Sequence, residues 1–183
     1  MGIIQRAVFI IGVFEQISLI IPAYNPDKKL PALLRDLIHA GFRHLVVVND
    51  GSTTESGDVI QSIQTLPVVA LTTHAVNLGK GRALKTAFNF VLHHYPECVG
   101  AVTLDADGQH SVTDIIACAR ALLRHPDHLV LGCRDFSSAS VPFRCRWGNR
   151  VTRRLIRLFC GIRVGDAQTG LRGLSRGQME QFL

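Results

Sequence analysis

Two carboxylates two residues apart are the clearest chemical signal in this chain. Asp105 and Asp107 stand in the run Asp105-Ala106-Asp107-Gly108-Gln109-His110. In an extended stretch, residues i and i+2 point the same way, so both carboxylates face one ligand. Two such charges repel unless a cation lies between them. Hard oxygen donors with open positions suit Mg²⁺ or Mn²⁺, which bridges to substrate phosphates. Gln109 adds an amide oxygen to the set and His110 an imidazole. The plain alternative is an acidic turn that caps the next helix, and the Asp-x-Asp pair alone does not separate the two.

Four other runs carry candidate chemistry. Asn49-Asp50-Gly51-Ser52 is a tight turn whose carboxylate can accept from a nucleobase imide or a ribose, or can close an ordinary Asx turn. Asn77-Leu78-Gly79-Lys80-Gly81-Arg82 opens a helix with glycines and two cations. Its backbone N–H groups and Lys80 can meet an anion; the alternative is a glycine-rich helix start. The run is neither a Walker loop nor a dinucleotide fingerprint. Seven of the twenty Lys and Arg residues fall in 143–163. Arg146, Arg150, Arg153, Arg154 and Arg157 share one helical face, and Val151, Leu155, Leu158 and Phe159 lie toward the other. Such a basic amphipathic helix suits a membrane surface or a phosphorylated acceptor, or is a solvated face. No aromatic stacking platform accompanies the arginines, so no nucleic acid is expected as a partner. Last, Asp166-Ala167-Gln168-Thr169-Gly170 with Arg172 reads as a polar loop after a short strand, either lining a pocket or turning at the surface.

Ligands of an open α/β sheet bind beyond the carboxyl ends of its strands, so the preceding elements decide what these runs can do. Apolar, β-branched stretches predict strands over 17–21, 44–48, 68–72, 99–104 and 129–132. Helical spacing predicts helices over 27–40, capped by Asp27 and closed by Gly41, and over 55–64, 82–94, 113–124 and 147–159. Another helix begins at 178–183. The alternation implies a mostly parallel sheet covered by helices on both faces. Residues 22–26 then follow the first strand, 49–52 the second, 105–110 the fourth, and Cys133-Arg134-Asp135 the fifth. Carboxylates, amides and an arginine converge on one sheet edge.

Composition narrows the class. A length of 183 residues fits one domain, and 47% hydrophobic with 19% charged residues is a globular balance. The formal charge of +6 suits an anionic partner. Five cysteines without a Cys-x-x-Cys pair read as reduced thiols of a cytosolic protein, with no zinc site expected from their spacing. The apolar run from Ala7 to Phe14 is far short of the roughly 18 residues of a membrane span and lacks a cleavage site, so it reads as a loose leader or an extra strand.

The order of motifs resembles family 2 glycosyltransferases of the Rossmann-like GT-A fold. It runs PAYN at 22–25, VNDGS at 48–52, NLGKGRAL at 77–84, LDADGQH at 104–110, GCRD at 132–135, GNR at 148–150 and DAQTGLRGLS at 166–175. It is most similar to the branch holding dolichyl- and polyprenyl-phosphate sugar synthases, over nearly the whole chain. The resemblance implies that Pro22, Tyr24, Val48 and Asp50 line the nucleoside pocket. It implies that Asp105, Ala106 and Asp107 hold the donor diphosphate, directly or through Mg²⁺ or Mn²⁺, with Gln109 as third metal ligand and Lys80 at the donor. Arg134, Arg146 and Gln168 are implied on the acceptor side, with Asp166 near the reacting group. It further implies an inverting enzyme at the cytoplasmic face of a membrane, which the basic face of 146–157 would touch. The donor would be a UDP- or GDP-sugar and the acceptor a polyprenyl or dolichyl phosphate or a glycan.

The chain departs from the family at Pro26, where many members have glutamate, and at Asn49, where aspartate is frequent. Members usually continue past the position of Leu183, so the expected layout is an apolar segment over 1–16 and a catalytic domain over 17–183 that is incomplete at its C-terminal end. The expected reaction is direct displacement at the anomeric carbon, in which electrostatic stabilisation of the leaving diphosphate contributes most to the rate. A lipid phosphate needs no general base, and Arg134 and Arg146 would position it as forks. A sugar hydroxyl needs one, for which Asp166 is the candidate. The alternatives are an inactive nucleotide-sugar-binding domain and a sugar nucleotidyltransferase. The latter should carry a basic glycine-rich signature after the first strand, where this chain reads PAYNP.

Overall fold

The computed structural model describes residues 14–133 and 169–183. Among them, six strands form one sheet. They are β1 (Ile17–Ala23), β2 (Leu45–Asn49), β3 (Val69–Thr73), β4 (Gly100–Thr103), β5 (Val130–Leu131) and β6 (Arg172–Ser175), in the order β3-β2-β1-β4-β6-β5. β1 pairs in parallel with β2 (Leu19 beside Leu45) and with β4 (Ile17 beside Gly100), and β3 continues the parallel set beside β2. β6 runs antiparallel to both β4 and β5. The helices are α1 (Lys29–Ala40), α2 (Gly57–Gln64), α3 (Lys80–His94), α4 (Val112–Arg124) and α5 (Arg176–Gln181), with a single 3₁₀ turn at Thr54–Ser56 before α2.

Strand alternation sorts the helices onto two faces. Ile17, Leu19 and Ile21 of β1 pack in one cluster with Leu30 and Leu34 of α1, Ile63 of α2 and Ile115 and Leu122 of α4. Ile20, Val46 and Val48 face the other way, against Ala83, Ala87 and Val91 of α3 and Met179 of α5. β1 is buried on both faces, which is why its sequence is a nearly unbroken apolar run.

Local signals set the helix ends. In α1, Leu30, Leu33, Leu34 and Leu37 repeat at helical spacing and are buried. The helix stops at Gly41, whose φ is 109°. There the Gly41 N–H donates to Ile38 O (3.0 Å) and the Phe42 N–H to Leu37 O (3.2 Å), a Schellman closure that buries Phe42. Phe14 packs edge-on against Phe42, with ring centroids 5.0 Å apart. Asp27 works one residue earlier than a cap: the N-cap position is Lys28, and Asp27 Oδ1 accepts from the Lys29 N–H at 2.8 Å. Ser111 caps α4 by accepting from the Asp114 N–H at 3.1 Å.

Two expectations are corrected. Residues 169–171 are irregular as expected, but Arg172, read with that loop, opens β6 at 172–175 beside β4, a strand the sequence did not mark. The last helix begins at Arg176, two residues earlier than expected. Arg176 Nη2 donates to Leu92 O (2.6 Å) and Nη1 to Tyr95 O (3.3 Å), so it ties α5 to the C-terminal end of α3. The basic helix expected at 147–159 and the N-terminal run before Phe14 lie outside the described residues.

Candidate functional site

The chain order reverses between β1 and β4, since β2 and β3 extend the sheet on one side of β1 and β4 lies on the other. Such a switch point leaves a crevice beyond the carboxyl ends of the two strands. Four segments converge there: 24–25 after β1, 50–53 after β2, 74–79 after β3 and 105–110 after β4.

Backbone and side-chain bonds stitch the first two segments together. The Asp50 N–H donates to Ala23 O (2.8 Å), the Asn25 N–H to Ser52 Oγ (2.9 Å), and the Thr53 N–H to Asn25 Oδ1 (2.8 Å). Tyr24 is 53% exposed beside this seam, and Pro22 is half-buried. Val48 is 0% exposed in the core against α3, so any role at the crevice falls to its backbone.

Asp50 is 3% exposed and fully engaged by the third segment. Oδ1 accepts from the Leu78 N–H (3.0 Å) and lies 2.7 Å from His74 Nδ1, while Oδ2 accepts from the Gly79 N–H (2.8 Å). Burial disfavours its charge, but the two N–H donors and the imidazole outweigh that and hold the carboxyl below its usual range. Gly51, at φ 68°, makes the close approach possible: a Cβ there would lie 2.2 Å from Val76 C and 2.4 Å from Asn77 N.

The Asp105 carboxylate, one-third exposed, forms an ion pair with the Lys80 ammonium. His110 Nε2 stands 3.9 Å from Oδ2, beyond hydrogen-bond reach and close enough to act electrostatically. The His110 imidazole, against partial burial, and the Lys80 ammonium hold this carboxyl well below the usual carboxylate range. Gly170 forms the wall behind it: a Cβ there would lie 2.0 Å from Asp105 Oδ2. Thr103 Oγ1 holds that wall by donating to Gly170 O at 2.9 Å.

Asp107 differs from expectation. The strand ends at Thr103, and Asp107 sits in an exposed turn, so the extended-chain argument for two parallel carboxylates does not apply. Its Oδ1 accepts from the Gln109 N–H at 3.1 Å, and Gly108 takes φ 71°. That is Asx-turn chemistry. Lys80 meets Asp105 directly, where the sequence suggested an external anion. Arg134, Arg146, Asp166 and Gln168 lie outside the described residues. A cleft beside the Asp105 turn is lined by Gln109, His110, Asp114, Cys133 and Leu171.

By their chemistry Asp105, Asp107 and Gln109 offer hard oxygen donors of the kind a divalent cation takes, with Asp105 partly buried beside Lys80 and the other two exposed. Among the described residues, the three-membered His/Cys/Asp/Glu group with its ligand atoms close together is His44, Glu97 and Cys98, at the opposite, amino-terminal edge of the sheet. Burial pushes the Cys98 thiol up to about 11, and the Ser18 hydroxyl donates to it at 3.2 Å.

Sequence reasoning misses His74 and the Gly170 wall. Nothing in the spacing marks His74, whereas the glycine after Thr169 carries a weak signal of close approach.

Fold and crevice together define an α/β domain with its chemistry at the carboxyl edge of the sheet. The chain belongs to glycosyl transferase family 2, and with it to the glycosyltransferases: the family's profile matches residues 18–182. It is 27% identical over 183 residues to the UDP-N-acetylglucosamine–dolichyl-phosphate N-acetylglucosaminyltransferase of Methanococcus voltae, covering 90% of this chain and 71% of that one. It is 30% identical over 179 residues to the undecaprenyl-phosphate 4-deoxy-4-formamido-L-arabinose transferase of Pseudomonas fluorescens, covering 91% and 49%. The glucosyl-3-phosphoglycerate synthase of Mycobacterium tuberculosis has been solved with Mn²⁺, UDP-glucose and phosphoglyceric acid. It shares the fold with a TM-score of 0.60 at 18% identity, over 91% of this chain and 58% of that one. The fold is GT-A. The chain thus spans about half of the bacterial relative's length, from the 49% coverage.

Proposed function

We propose that this chain carries the donor site of an inverting glycosyltransferase that moves a sugar from a nucleotide-sugar to a polyprenyl phosphate with the aid of a divalent cation. The observation that carries the reading is Asp105, an ionised carboxylate set at the β1–β4 crevice between Lys80 and the Gly170 wall. The acceptor class rests on the relatives, which use dolichyl phosphate in one case and undecaprenyl phosphate in another.

The nucleoside would lie over the seam of 22–25 and 49–53, with Tyr24 exposed to stack on it and Asp50 holding the floor. Asp105 and Asp107, with Gln109, would hold Mg²⁺ or Mn²⁺, in keeping with the Mn²⁺ and UDP-glucose bound to the mycobacterial synthase. A cation bound there supplies charge neutralisation to the departing nucleoside diphosphate. Lys80 adds a second positive charge at the same point and keeps Asp105 ionised. A phosphate acceptor is charged at neutral pH and attacks without a general base; Arg134, Arg146 and Gln168 would position it. A glycan acceptor would call on Asp166 as base. Residues 146–157 would rest on the cytoplasmic membrane face as a basic amphipathic helix. Among the described residues, no helix is long and apolar enough to cross a membrane.

The test is calorimetric binding of UDP- and GDP-sugars with and without Mn²⁺, for the chain and for Asp107→Ala. Metal-dependent binding that disappears in the variant supports the donor site, and turnover on a short polyprenyl phosphate then supports the acceptor. Folded protein that ignores every donor sinks the reading. Donor binding without turnover on any acceptor would leave a binding domain.

A further inference from the structure

Resting on that reading of the donor site, we infer that His74 is a positioning residue: it locks Asp50, the 77–79 loop and helix α3 into one unit, and so sets where Lys80 meets Asp105. The imidazole is 10% exposed and has a partner on each nitrogen. Nδ1 lies 2.7 Å from Asp50 Oδ1, and Nε2 lies 2.9 Å from Thr86 Oγ1. An ionised carboxylate only accepts, so Nδ1 carries the hydrogen of this bond. The fixed Nδ1–H leaves Nε2 to the Thr86 hydroxyl, which can donate to it or accept from it.

The main chain of His74 is fixed too, because its N–H donates to Asn49 O at 2.9 Å. From that anchor the chain arches over Asp50, gives it the Leu78 and Gly79 N–H groups, and enters α3 at Lys80. Thr86 lies on the same helix, less than two turns beyond Lys80. The ring therefore joins the floor of the loop to the helix that leaves it. Without the ring, the loop ahead of the helix keeps only the Leu78 and Gly79 N–H bonds to Asp50, and the helix start keeps the packing of Ala83 and the Lys80–Asp105 pair. Asparagine can supply a donor where Nδ1 stands but cannot reach Thr86, since the two ring nitrogens serve partners on opposite sides.

The experiment is a double-mutant cycle between His74→Ala and Lys80→Ala, read by calorimetric binding of UDP with Mn²⁺ and by turnover. His74→Ala should weaken binding about tenfold, the size of a typical coupling between linked sites. Combined with Lys80→Ala it should add little, because both changes remove the same placement. His74→Asn should recover part of the loss. Hydrogen exchange of the Leu78 and Gly79 amides should accelerate in His74→Ala. Full additivity in the cycle overturns the inference, as does wild-type binding by a folded His74→Ala protein. If the unsubstituted chain binds no nucleotide, the donor-site reading fails by itself. The exchange measurement then decides the role of His74: acceleration confined to Leu78 and Gly79 supports it, and unchanged exchange overturns it.

Discussion

Replacing Gly170 with alanine should disable the site while leaving the fold standing. The added Cβ would lie 2.0 Å from Asp105 Oδ2, 2.4 Å from Cγ and 2.6 Å from Oδ1. Carbon–oxygen contacts need more than about 3 Å, so the carboxylate must retreat by about 1 Å or more. The backbone at Gly170 is outside the left-handed region, so the methyl meets no conformational penalty of its own. The main chain there is pinned by the bond from Thr103 Oγ1. The easiest relief is rotation of the Asp105 side chain, which disturbs its pairing with Lys80. Stability should then change little: alanine restricts the unfolded chain, worth about 0.4–1 kcal/mol, against a local clash of about 1–3 kcal/mol. Misplacement of a reacting group by about 1 Å costs about a hundredfold in rate. Thermal unfolding within a few degrees of wild type, with turnover down about a hundredfold, is the expected pair of results. Wild-type turnover in a folded Gly170→Ala protein would refute the role given to this carboxylate.

Other consequences follow from single contacts. Because the folded-state pKa of Asp105 is depressed, its stabilising contribution is present above the unfolded value of about 3.9 and is lost as pH falls below it. Metal-dependent donor binding should accordingly persist to lower pH than an ordinary carboxylate allows, and Lys80→Met should move that acid limit upward in binding titrations. Ser111→Ala removes the α4 cap and should cost about 1 kcal/mol in denaturant unfolding. Arg176→Met leaves Leu92 O without its Arg176 donor and Tyr95 O with the Cys98 N–H only, and should cost about 1–2 kcal/mol, seen as a lower Tm with donor binding unchanged.

What the sequence disclosed was mostly local. The leucine spacing of α1 and the glycine at its end lie within one stretch of chain, and both appear where periodicity places them. β6 escaped because Arg172-Gly173-Leu174-Ser175 has neither an apolar run nor β-branched residues; its strand character comes from pairing with β4, some seventy residues earlier in the chain. The family motifs located the crevice, but their internal partners stayed hidden. Asp50 spends its oxygens on Leu78 and Gly79, and Lys80 spends its charge on Asp105, links that span 28, 29 and 25 positions. The turn at Asp107 has a local signal of its own, since Asp-Gly is a turn pair that competes with an extended strand end.

The two aspartates nearest the switch point divide the labour by burial. Asp50 is nearly inaccessible, and its charge is answered by two backbone N–H groups and an imidazole, so it has little left to offer a ligand. Its value lies in organising the 77–79 loop, for which a buried, fully paired carboxylate is suited because leaving any of those donors unmet is costly. Asp105 is one-third exposed and answered by the Lys80 ammonium with the His110 ring nearby, side chains that can give way to a cation or be shared with a diphosphate. The first carboxylate thus fixes the platform and the second stays available at its edge. That division explains why one short crevice holds two ionised aspartates without mutual repulsion deciding the state of either.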